Sequence, residues 1–235
     1  MKRIGLIGAK GWCSPSLYYN KINRYFNQIR GNKINPETII YTVNYQEIIK
    51  FQKEGDWNAL ADFLIPKAIK IEEAGADFLV ITSNTVHKII DKIQAKINIP
   101  IINIIDVVGK KAKYSWCKKP GLLANKYLIK DGFYQKKLEE KYVERIILPA
   151  ESEIEELNYI IIDELANKSN THFSSRLYIN NIINNLVNSG VDSIILASIE
   201  LTSLIDIIAD SDVKILNSLE LHVQEIVHYT LKKSL

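Results

Sequence analysis

Short apolar runs bounded by turn residues alternate along the chain with longer amphipathic stretches, and the two periods predict different elements. Residues 3–8 read as a strand ending in Gly8, 15–30 as a helix and 37–44 as a second strand. Residues 56–74 predict a helix, with Leu60, Phe63, Leu64, Ala68 and Ile71 at three- and four-residue spacing and Gly75 at its C′ position. A third strand is expected at 77–82, a helix at 84–95 and a fourth strand at 100–105, opened by Pro100. The pattern then repeats. Strands are expected at 120–124, 144–148, 192–197 and 213–217, and helices at 131–142, 151–168, 174–189 and 219–233. Alternation of this kind with short connections predicts an α/β protein built of parallel sheets flanked by helices. Two similar series predict two α/β lobes. Residues 1–104 with 214–235 form the first and 105–213 the second.

In parallel α/β sheets, ligands bind beyond the carboxyl ends of the strands, where helix N-termini offer free N–H groups. Three segments answer that description: Gly8–Ser14, Thr82–Thr85 and Ala197–Glu200. If the lobes face each other, all three line one interlobe cleft. The glycines of Gly5-Leu6-Ile7-Gly8-Ala9-Lys10-Gly11 lack the spacing of a dinucleotide fingerprint, and no acidic residue closes the second strand, where Tyr41-Thr42-Val43-Asn44 stands. A phosphate-binding P-loop is absent.

Composition narrows the classes further. The 235 residues carry a net charge of only +3, with Lys and Glu interleaved, so no nucleic-acid stripe is present. The densest basic cluster, Lys110, Lys111 and Lys113, reads as a solvated helix face. Two cysteines, Cys13 and Cys117, do not make a disulfide framework. No apolar run approaches the ~20 residues that span a bilayer, and the apolar start Ile4–Gly8 is too short for a secretory h-region. The expectation is a cytoplasmic, soluble protein with neither a nucleic-acid nor a membrane partner.

The N-terminal run Gly5-Leu6-Ile7-Gly8-Ala9-Lys10-Gly11-Trp12-Cys13-Ser14-Pro15-Ser16-Leu17-Tyr18-Tyr19-Asn20-Lys21-Ile22-Asn23 resembles the opening of the aspartate/glutamate racemase family. Further stretches agree in order. Phe51–Trp57 resembles the segment before the family's second helix, and Ser83-Asn84-Thr85-Val86-His87 resembles its C/T-N-T-x-H. Ile99–Ile104 resembles I-P-x-x-H-I, Leu196-Ala197-Ser198-Ile199-Glu200 falls on L-G-C-T-E, and His222 falls on a late histidine. Phe133-Tyr134, Pro149, Asp163-Glu164-Leu165 and Ser175-Arg176 also keep their places.

The resemblance implies two Rossmann-like lobes with an active site between them, no cofactor, no metal and a homodimer. It implies amino-acid racemisation by two thiols, one taking the α-proton and the other returning one. Here serine stands at both positions, Ser83 and Ser198. A thiol of reference pKa ~8.5 can be brought to thiolate by helix N-termini and cations, whereas a serine hydroxyl needs an adjacent base. Neighbouring positions depart as well: Lys10-Gly11 for Met-Ser, Asn103 for histidine, Ala197 for glycine, Ile199 for threonine and Asn217-Ser218 for Asp-Thr. The candidate catalytic set is Ser83, Ser198, His87, His222 and Glu200; the candidate substrate-binding set is Lys10, Gly11, Asn84, Thr85 and Arg176. Each has an alternative reading: Ser83 as a helix cap, the histidines as structural, Lys10 as a loop lysine, Arg176 as an ion-pair partner. Three functions stand open: a racemase-like isomerase holding a small amino or dicarboxylic acid, an enzyme of altered carbon-acid chemistry such as elimination, and a non-catalytic binder or regulatory paralogue.

Overall fold

Strand β1 (Ile4–Gly8) is buried at every residue, the pattern of a parallel strand covered on both faces. It pairs in parallel with β2 (Thr38–Thr42) on one side and β3 (Phe78–Ile81) on the other. The computed structural model describes residues 1–31, 33–165, 173–204 and 213–232. Beyond β3, Ile101 adds a single parallel bridge to Leu79. The second sheet repeats this arrangement. β4 (Pro120–Leu123) pairs with β5 (Ser193–Leu196), β5 pairs with β6 (Lys214–Asn217), and Ile147 bridges to Gly121 on the open side of β4. Counted along the chain within each sheet, bridges included, the spatial order is second, first, third, fourth in both. This order places the switch point between the first and third strands, where a ligand crevice opens at their carboxyl ends.

The helices form where the apolar spacing places them. α1 (Cys13–Arg30) buries Tyr18, Ile22 and Phe26, and α3 (Trp57–Glu73) buries Leu60, Leu64, Ala68 and Ile71. Asp56 caps α3 by accepting from the Ala59 N–H at 2.9 Å. Gly75 ends it at φ 91°, its N–H on Glu72 and that of Ala76 on Ile71. The sequence reading left 45–54 without an element; it is α2 (Tyr45–Glu54), capped by Asn44. The strand expected at 100–105 is reduced to the Ile101 bridge, because Ile104 and Ile105 instead open α5 (Ile104–Tyr114) and bury with Val108 and Ala112 at helical spacing. A short apolar run does not distinguish a strand from a buried helix turn. The strand expected at 144–148 is likewise the single Ile147 bridge.

The helix expected at 131–142 is α7 (Phe133–Lys141), which starts after Gly132 at φ 73°; before it stands α6 (Lys126–Asp131), which the sequence pattern does not predict. That at 84–95 is a 3₁₀ turn, Thr85–Ile89, followed by α4 (Ile90–Gln94). α8 (Glu151–Tyr159) continues as a π-helical turn, Ile160–Leu165. α9 (Phe173–Asn188) and α10 (Ser218–Leu231) follow the predicted spans closely. Residues 166–168 and 233 of the predicted helices lie outside the described residues.

The contacts divide the chain into two compact units, Met1–Ile104 with His222–Leu235, and Ile105–Leu221. β6, given to the first lobe by the sequence reading, hydrogen-bonds to β5 and belongs to the second sheet; the chain returns to the first unit only at His222.

Gly8 ends β1 where α1 crosses close above it. A Cβ there would stand 2.7 Å from Cγ of Pro15. Gly8→Ala should therefore lower stability by about 1–3 kcal/mol, as overpacking does. An unchanged urea midpoint would show that Pro15 can move aside freely.

Candidate active site

In the first unit, the crevice between β1 and β3 is closed by hydroxyl contacts. The Thr82 hydroxyl donates to the Ile7 carbonyl at 3.1 Å, so it accepts from Ser14, whose Oγ lies 2.7 Å away. Both side chains are buried, and together they tie the first turn of α1 to the end of β3. Lys10 and Gly11 fill the loop before α1. Lys10 is half-buried, and Gly11 adopts φ 64°, a left-handed turn that suits glycine.

Ser83, Asn84, Thr85 and His87 follow β3 and are all buried. Ser83 Oγ accepts a long 3.5 Å bond from the Val86 N–H, and the Ser83 carbonyl accepts from His87 Nδ1 at 2.7 Å. A carbonyl can only accept, so Nδ1 of His87 carries a proton. The His87 ring meets that of His222 edge-on, centroids 5.9 Å apart.

His222 is engaged through both ring nitrogens. Nε2 donates to the Ile102 carbonyl at 3.0 Å, which leaves Nδ1 to accept from the Tyr18 hydroxyl at 2.9 Å. Burial, and secondarily the neighbouring His87, lower its pKa to about 3. It is a neutral imidazole joining α10 to α1 and to the end of the Ile101 bridge.

In the second unit, the turn after β5 is the counterpart. Ser198 stands two residues past β5, as Ser83 stands two past β3. Its hydroxyl donates to Glu200 Oε2 at 2.7 Å. Glu200 is half-buried and opens the 3₁₀ turn Ile199–Leu204. Beside it, Asn217 Oδ1 accepts from the Leu219 and Glu220 N–H groups at 3.0 and 3.3 Å and from Thr202 at 3.4 Å. Asn125, at the end of β4, caps α6 by accepting from Leu128 at 3.1 Å.

The structure thus gathers Lys10, Gly11, Ser83, Asn84, Thr85, His87 and His222 in the first unit, and Ser198 with Glu200 in the second. Arg176 is exposed on α9, and no described contact joins it to Ser198 or Glu200. Neither thiol occupies a position two residues past a strand: Cys13 is exposed at the start of α1, five residues after β1, and Cys117 is buried, its Sγ 3.7 Å from the Ser115 carbonyl. Sequence reasoning placed Ser14 and Thr82 in strand-end segments without giving them a role, and did not single out Tyr18 or Asn125. Asn125 was within reach: an Asn after an apolar run, three residues before an apolar position, is an N-cap signal.

The model of the Asp/Glu/Hydantoin racemase family matches residues 4–226. This chain belongs to that family. Among solved structures, a Yersinia pestis protein assigned to the Asp/Glu racemases is 32% identical with a TM-score of 0.90, covering 99% of this chain and 100% of its own. An aspartate racemase homologue from Pyrococcus horikoshii OT3 is also 32% identical, with a TM-score of 0.83 over 99% of this chain and 100% of its own. Over 141 residues the chain is 28% identical to the broad specificity amino-acid racemase RacX of Bacillus subtilis (strain 168). That stretch covers 57% of this chain and 60% of RacX, less than two thirds of the curated relative. Two parallel sheets flanked by helices match the two-lobe fold of the racemase family. Among the described residues, no helix is long and apolar enough to cross a membrane.

Proposed function

We propose that this racemase-family chain binds a small amino or dicarboxylic acid at its strand-end turns, and that two-thiol racemisation is not its reaction. The observation that carries the reading is the pair of equivalent serines, Ser83 and Ser198, each two residues past the third strand of its sheet. They stand where the resemblance places the family's thiols. In the first unit, Asn84 and Thr85 take a carboxylate, with Lys10 in the loop before α1 as a candidate cation. His222, with both nitrogens committed, positions α10 and does not transfer protons. The same reading expects a cofactor-independent, cytoplasmic homodimer, whose mass analytical ultracentrifugation would measure.

A second reading, an altered carbon-acid reaction, draws support from the Ser198–Glu200 contact. A hydroxyl donating to a carboxylate at 2.7 Å is poised to relay a proton to it. The deciding experiment is α-proton exchange in heavy water across a panel of amino and dicarboxylic acids. Rapid exchange with loss of chirality in the unmodified protein overturns the non-thiol reading. Exchange or product formation without racemisation supports altered chemistry, and Glu200→Gln should then slow it by about 10²-fold or more. Thermal stabilisation by a panel member without exchange leaves binding alone.

A further inference from the structure

The turn after α5 departs from the way this chain ends its other helices. Trp116 N–H bonds to the Lys113 carbonyl at 3.1 Å and Cys117 N–H to the Ala112 carbonyl at 2.9 Å, the paired bonds of a Schellman motif. The residue at C′ must then be left-handed. After α2, α3 and α6 that position is Gly55, Gly75 and Gly132, all at positive φ. After α5 it is Trp116, at φ 58°, the one non-glycine residue with positive φ among those described. A side chain with a Cβ is disfavoured there, and packing does not compensate, because Trp116 is 85% exposed. Tyr114, two residues before it, is 83% exposed. The fold therefore holds two large aromatic groups in water, one of them on a strained backbone.

Their surroundings are basic. Lys110, Lys111, Lys113, Lys118 and Lys119 are all exposed, and Lys214 reaches the same turn, its ammonium 3.4 Å from the Ser115 carbonyl. Among the described residues, the acidic groups at this edge are Glu144, paired with Lys118 at 2.9 Å, and Asp192, which accepts from the Lys118 and Lys119 backbone N–H groups. The sequence reading took the lysines alone for a solvated face and expected no membrane partner; the exposed Tyr114 and Trp116 change that picture.

We infer that this surface, Lys110–Lys119, docks on an anionic lipid bilayer. Trp and Tyr are the side chains that settle at the membrane–water interface, and clustered lysines are drawn to anionic headgroups. A second copy of the chain fits poorly, since a two-fold contact would set lysine cluster against lysine cluster. Nucleic acid fits less well. The segment contains no arginine fork, and a net charge of +3 supplies no extended basic track. The surface lies at the amino edge of the second sheet, where Lys119 precedes β4, and Ser198 lies at the carboxyl edge.

The test is vesicle flotation of the full chain with phosphatidylcholine alone and with phosphatidylglycerol added. Binding is expected only to the anionic vesicles and is reversed by salt. Trp116→Gly should weaken it at least about tenfold while leaving Tm unchanged or about 2–4 °C higher, because glycine relieves the left-handed turn. Replacing Lys110, Lys111 and Lys113 together by Gln should also weaken it by at least about tenfold. The inference is overturned if anionic vesicles are not bound or if Trp116→Gly binds them as well as the unmodified chain. Tighter binding to a single-stranded oligonucleotide than to vesicles at the same salt overturns it too.

Discussion

Replacing Ser83 and Ser198 together by cysteine should raise α-proton exchange on an amino acid the protein binds by about 10²-fold or more, the ordinary worth of a positioned proton-transfer group. The side chains differ by one atom, and both positions are buried in turns whose backbone is already fixed. The Ser83 carbonyl is held by His87, and Ala197 N–H bonds to the Leu123 carbonyl at 2.8 Å. What changes is acidity: a thiol near pKa 8.5 yields a usable thiolate fraction at neutral pH, and a serine hydroxyl does not. Each single variant should exchange at most one enantiomer and with retention, because one thiol can remove and return a proton only on its own face, whereas racemisation needs a thiol on each. Glu200 bears on the second position, since a carboxylate at 2.7 Å from the present hydroxyl would hold a thiol there in its protonated form. The double variant with Glu200→Gln separates that effect from the gain of the two thiols. Deuterium incorporation followed by NMR, with chiral analysis of the recovered acid, measures both rate and outcome. Rapid exchange by the unmodified chain would remove the premise.

Acidification should weaken the fold through His222 before most carboxylates titrate. Its folded pKa, about 3, lies below the ordinary value of 6.5 because burial, then His87, disfavour the charged form. The unfolded chain therefore binds the extra proton in the window between these values. The contribution of the neutral imidazole is complete above about pH 6.5 and is lost progressively as pH falls towards about 3. Between about pH 7 and pH 5 the loss amounts to roughly 2 kcal/mol. Urea unfolding of the unmodified protein and of His222→Leu at both pH values isolates this part. The variant should be destabilised by about 2–4 kcal/mol at neutral pH, having lost the acceptor for Tyr18 and the donor to Ile102. The gap between the two proteins should narrow on acidification. A constant gap would mean that the folded pKa of His222 does not differ from its unfolded value.

The strand-end turns were legible in the sequence because their cause is local. An apolar run, a small polar residue and a new amphipathic period mark a strand handing over to a helix, and Ser83 and Ser198 fall at that junction. The edges of the sheets were less legible. Ile101 and Ile147 are apolar enough for strands, yet one bridge each is all that forms, because the following residues are committed elsewhere. A structural role for His222 was one of the readings open in the sequence, but its partners were not legible. Its partner Tyr18 lies 204 positions away, and no local pattern encodes that hydrogen bond. Arg176 illustrates the reverse limit: a motif position can be matched while the side chain faces solvent.

The return of the chain at His222 has a consequence for synthesis on the ribosome. The second unit, Ile105–Leu221, is one uninterrupted stretch. The first unit begins earlier but needs the last segment: Lys2 N–H bonds to the Thr230 carbonyl, Tyr18 to His222, and Phe78 packs edge-on against Tyr229. Domains ordinarily fold from the N-terminus as they emerge. Here the order of completion is inverted, and the segment made first stays open to chaperones until the final helix leaves the exit tunnel.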